Sequence, residues 1–96
     1  MIRIQFTDGK ATQVLTFDGE VLEIFDPILS PRHSRMHISH IDGMEIQTDR
    51  KGKHKLVTTL AYGFFFSDYP VADAQVAVVN RLIAQVQEAK ASFRFD

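Results

Sequence analysis

The sequence predicts a mostly β domain: a seven-stranded antiparallel sandwich, or partly open barrel, capped by one C-terminal α-helix. Three observations carry that expectation. Short runs of alternating apolar and polar residues recur at about ten-residue spacing through the first two thirds of the chain. Asp8-Gly9, Asp18-Gly19 and Asp42-Gly43 separate such runs, and Asp-Gly between two alternating segments is a strong hairpin signal. Only the last quarter holds a sustained helical period. A twisted sheet of that size must curl or split into two packed layers, and an amphipathic helix is the natural lid for the open end.

In chain order, Ile2, Ile4 and Phe6 alternate with Arg3 and Gln5 and predict a strand over residues 2–6. Strands over 12–17 and 20–26 complete a three-stranded meander, with type I′ turns at the Asp-Gly pairs. Pro27 and Pro31 break the pattern between Asp26 and Ser34. As the longest connection, this segment is where the chain is expected to pass from one sheet to the other. A fourth strand over 35–41 and a fifth over 43–49 flank the Asp42-Gly43 turn. The polar turn Asp49-Arg50-Lys51-Gly52-Lys53 leads to a sixth over 54–60, and a tight link at Ala61-Tyr62-Gly63 to a seventh over 63–67. The helix is predicted over 69–91, with Asp68 as N-cap and Pro70 in the first turn. Ala72, Val76, Val79, Leu82, Ile83, Val86 and Ala89 form its apolar stripe, expected to face Ile4, Ile46, Leu60 and Phe64.

Length and composition fit one domain over residues 1–96: 45% hydrophobic and 24% charged residues are ordinary for a globular chain. Without cysteine there is no disulfide framework, thiolate metal site or thiol nucleophile. No apolar run reaches the ~18 residues needed to span a bilayer. The N-terminus enters a strand pattern directly, without the apolar core of a signal peptide, so a cytoplasmic location and no transmembrane segment are expected. The formal net charge of −1 falls short of a nucleic-acid binder's basic balance, and no nucleic-acid partner is expected.

The order of elements resembles the pleckstrin-homology-like superfold, with the run from Met36 to Ile46 similar to the corner between the fourth and fifth strands in small bacterial members. The resemblance implies four strands in one sheet, three in the other, and a C-terminal helix capping one end. Lipid-binding members of that group carry clustered bases on the first two strands and their loop. Here that hairpin offers Arg3 and Lys10, beside Asp8.

Chemistry-bearing patterns are sparse. There is no G-x-S-x-G, no Gly-rich phosphate loop and no H-E-x-x-H, so no catalytic residue and no cofactor is assigned and the chain is not expected to be an enzyme. His33 and His37 share strand parity but lie ~13 Å apart on one strand, and His37 and His40 point to opposite faces, so the histidines are read as surface residues with no metal site. Arg50, Lys51, Lys53 and Lys55, with Arg32 and Arg35, form the candidate anion or lipid surface, set against a solvated hairpin whose charge discourages edge pairing. Phe6, Phe17, Phe25, Phe64 and Phe66 are read as core. Phe64, Phe65 and Phe66 cannot all face inward from one strand, so Phe65 is the expected outward aromatic. Phe65, Phe93 and Phe95 make the candidate interaction surface, the alternative being that Phe93 completes the helix stripe and Phe95 folds back on the core.

These patterns lead to an expectation of a non-enzymatic interaction module that binds a protein partner or a second copy of itself. The alternative is a peripheral module reading anionic lipid or phosphate, with weak membrane contact, through the basic turn at residues 50–55.

Overall fold

A computed structural model describes residues 1–8, 11–26, 32–61 and 65–93, with the main chain alone for Asp8, Ala11, Asp26, Arg32, His33, Ser34 and residues 65–68. Its described residues form strands β1 (Ile2–Asp8), β2 (Ala11–Phe17), β3 (Val21–Asp26), β4 (Arg32–His37), β5 (Ile41–Thr48), β6 (His54–Leu60) and β7 (Phe65–Val71), then helix α1 (Val76–Ser92). β1-β2-β3-β4 make one antiparallel sheet and β5-β6-β7 a second, not closed into a barrel.

Alternation decides which face each strand buries. Ile2, Ile4 and Phe6 of β1, Leu15 and Phe17 of β2, and Leu22 and Ile24 of β3 point inward. Ile41, Met44, Leu56, Tyr69 and Val71 meet them from the second sheet, and Val79, Leu82 and Val86 from α1. The helix therefore shares one core with Ile4, as its stripe predicts. Ile46 packs on the rim of that cluster, Leu60 is buried outside it, and Phe64 lies outside the described residues. Phe6 and Tyr69 stack at a centroid distance of 5.4 Å and tie β1 to β7.

Four boundaries differ from the expectation. The β3–β4 ladder runs to Asp26↔Arg32, so the chain returns within one sheet after the proline segment. The crossing between sheets comes later, in a 3₁₀ turn at Ile38–His40 that interrupts the expected strand over 35–41. His37 caps that turn: Nδ1 accepts from Ser39 N–H at 3.1 Å, leaving Nε2–H to donate to Glu20 at 3.0 Å.

Asp42-Gly43 is not a turn but lies inside β5, where the register shifts between Ile41↔Leu60 and Gly43↔Thr59. The extra residue of such a bulge drops out of the ladder. Lys90 in the last turn of α1 donates to the Asp42 carbonyl at 2.7 Å and satisfies it.

The helix begins at Val76, later than predicted, and Asp68 does not cap it. Pro70 belongs to β7, paired with Lys55 at the outer strand of the second sheet, where a missing N–H is tolerated. A 3₁₀ turn over Asp73–Gln75 leads into α1. Gln75 Oε1 accepts from Ala72 N–H at 3.1 Å while its amide donates to the Gln5 carbonyl, fixing the helix start against β1.

At Asp18-Gly19 only the glycine has positive φ (103°), so the turn is not type I′. The Asp18 carboxylate instead accepts from Glu20 N–H at 2.9 Å and Val21 N–H at 2.8 Å, an Asx-type closure.

Phe25 is not core. It shares parity with Val21 and Glu23, opposite to buried Leu22 and Ile24, and is 44% exposed.

Candidate functional site

Two surfaces gather the residues of interest. The first is a cleft of about 590 Å³ where the β5–β6 hairpin meets β1 and the link from β7 to α1. Lys51, Lys53 and His54 form one wall, and Gln5, Thr7 and Gln75 stand among the residues around it.

Asp49 shapes the hairpin. Its Oδ1 accepts from Lys51 N–H at 2.8 Å and Lys53 N–H at 2.9 Å, and its carbonyl accepts from Gly52 N–H at 3.1 Å. The Lys53 N–H bond is the main cause holding the Asp49 carboxyl below the usual carboxylate range; desolvation opposes it, and the Lys51 N–H bond and the Lys53 charge add smaller contributions in the lowering direction. Gly52 takes φ of 80°, which favours glycine. His54 Nε2 meets Asp73 at 3.0 Å and Nδ1 lies 2.7 Å from the Thr48 hydroxyl, so this imidazole staples β6 to the strand beside it and to the start of the helical segment.

The second surface is the outer face of the four-stranded sheet. Register places Arg3, Thr16, Glu23 and Arg35 in one row across β1 to β4, and Gln5, Val14 and Phe25 in the next row. Arg3, Val14, Thr16, Glu23 and Phe25 together line a shallow depression of about 410 Å³. Arg35 pairs with Glu23 at 3.3 Å.

The candidate basic residues do not form one cluster. Lys51 and Lys53 line the cleft, Arg50 is exposed beside them, and Lys55 lines a neighbouring depression of the hairpin together with Lys53, Gln47 and Thr48. Arg35 stands on the other sheet in its ion pair, and the side chain of Arg32 is outside the described residues. Among the candidate aromatics, Phe93 is half-buried against the core, its ring edge-on to His37 at 4.8 Å, in line with its completing the stripe. The side chain of Phe65 and all of Phe95 lie outside the described residues.

Sequence reasoning missed Phe25 as an outward aromatic. The signal was present in the parity it shares with Glu23, which a strand with inward Leu22 and Ile24 must turn to solvent. Among the described residues no helix is long and apolar enough to cross a membrane. Compared with family models, curated proteins and solved structures, the chain finds no match.

Proposed function

We propose that this protein is a non-enzymatic interaction module that binds protein through the outer face of its four-stranded sheet. Phe25 carries the reading: with Met1 it is one of two exposed large hydrophobic residues among those described, and it sits mid-sheet rather than at a terminus. Val14 lies beside it, while Arg3, Gln5, Thr16, Glu23 and Arg35 surround the pair. An aromatic centre with a polar rim is the usual anatomy of a protein contact. The four-plus-three strand order and C-terminal helix support a pleckstrin-homology-like identity, and fold by itself names no ligand. A photo-reactive residue placed at position 25 should crosslink to protein in cells, whereas the same residue at exposed Arg81 on the helix should not. Equal labelling at both positions sinks the proposal.

The cleft favours a second reading, a peripheral site for anionic lipid or phosphate. Lys51 and Lys53 share it, and neither they nor Arg50 makes an ion pair among the described residues.

A further inference from the structure

Resting on the protein-binding reading, we infer that the outer sheet face docks an acidic segment of a different protein, with a carboxylate on Arg3 and a neighbouring apolar side chain over Val14 and Phe25. The charges of the face select that partner. Register sets Arg3, Thr16, Glu23 and Arg35 in one row across the sheet. Glu23 and Arg35 stand on adjacent strands and pair at 3.3 Å, so that end of the row is neutral. Arg3 stands at the other end, exposed and without an ion pair among the described residues. Two bases against one acid leave the row one positive charge in excess, and that charge belongs to a residue lining the depression.

Arg3 and Phe25 bracket the depression from either side of β2, with Val14 and Thr16 between them. Two strand spacings of ~4.8 Å and a two-residue offset at ~3.4 Å rise put their Cα atoms about 12 Å apart. A guanidinium presents a fixed fork of donors that takes a carboxylate bidentately. Phe25 and Val14 give an apolar side chain a surface to bury beside that pair. The ion pair then forms at the edge of an apolar contact, where salt screens it less than on open surface.

Other occupants fit worse. A basic partner sets like charge against Arg3 with no free acid beside it, because Glu23 is already engaged. A second copy docked face to face repeats the same excess of base. The face is also small: four strands and about six residues of each cover a few hundred Å², below the ~800 Å² per partner of a stable complex. A short linear segment matches that area, and its binding is weak.

The test uses the full chain with an aromatic photo-reactive residue at position 25, crosslinked in cells, and maps the adducted peptide by mass spectrometry. The mapped site should be an apolar residue of another protein with Asp or Glu within about four residues, the reach of a ~12 Å extended segment. Arg3→Glu in the same chain should cut that adduct roughly tenfold, as loss of an interface hot spot does. Arg3→Gln, which only removes the charge, should lower it in the same direction. Arg81→Glu, the same reversal on the exposed face of α1, should leave it unchanged. Reversing the mapped acid to Lys in the partner should restore capture by the Arg3→Glu chain, and thermal melts confirm that each variant is folded. A mapped site with no acid nearby, an adduct that survives Arg3→Glu, an equal loss with Arg81→Glu, or a reversed acid that restores nothing overturns the inference.

The same crosslink separates this inference from the reading beneath it. An adduct with another protein that ignores Arg3, or a product of twice the chain mass alone, overturns the acidic segment and leaves the module reading intact. Labelling no greater than at position 81 removes both.

Discussion

Asp49 accepts two backbone N–H bonds, and Asp18 does the same at the first described hairpin turn. The Val21 N–H bond, then that of Glu20, holds the Asp18 carboxyl below its usual range, as Lys53 N–H does for Asp49. A carboxyl whose folded pKa is depressed contributes stability above its unfolded value and loses it as pH falls through the folded one. The unfolding midpoint should therefore decline as pH drops below about 4, where unfolded aspartates protonate. Asp49→Asn retains an acceptor oxygen but does not titrate, so the double variant with Asp18→Asn should show a flatter acid limb in urea melts at stepped pH. An equally steep limb would place the acid sensitivity elsewhere. Gly52 has open space where a Cβ would stand but a φ of 80°, so Gly52→Ala should lower stability by about 1 kcal/mol through backbone conformation alone, read from chemical denaturation.

At the scale of elements, α1 is held by its buried stripe and by two polar ties, Gln75 to β1 and Lys90 to the β5 bulge. Val79 and Val86 are buried in the shared core. Val86→Asp puts an unpaired charge there and should lower stability by several kcal/mol. Cooperative unfolding with an unchanged midpoint would show that the helix is not a lid. On β3, neighbours of opposite parity should respond oppositely. Leu22→Ala should cost about 2–5 kcal/mol, as for other buried leucines, while the outward Phe25→Ser should cost about 1 kcal/mol or less. Similar losses at the two sites would contradict the orientation of the sheet.

For the whole molecule, the basic hairpin and the Phe25 face belong to different sheets, so the two readings respond to different changes. If the cleft binds anions, the wild type should sediment with anionic vesicles at low salt and release as salt rises, since exposed charges are screened over ~10 Å at 0.1 M. Neutralising Arg50, Lys51 and Lys53 together should abolish that binding, and Phe25→Ser should leave it intact. Binding that survives the triple neutralisation would exclude the hairpin as the anion site.

Much of the architecture was legible locally because it rests on local physics. Alternation places Ile2, Ile4 and Phe6 inward, and a 3.6-residue period places Val79, Leu82 and Val86 on one helix face. Asp49 and Gly52 announce their hairpin through turn chemistry that neighbouring residues complete. Phe25 and the Asp18-Gly19 turn were misread on local patterns; the other errors fall where a residue's partner is distant in sequence. Asp42-Gly43 reads as a turn until Leu60 and Thr59 draw it into a ladder and Lys90 takes the freed carbonyl. Pro70 suits a helix start or an outer strand equally well, and pairing with Lys55 selects the strand. The Lys51–Lys53 cleft exists only because β1, the hairpin and the start of the helical segment converge, and the Arg3–Glu23 row only because β2 holds its neighbours in one register. Sequence by itself determined which residues turn inward and where the chain can bend. Tertiary structure alone decided which bends are used and which surfaces meet, because those depend on pairings between distant residues whose free energies no local pattern contains.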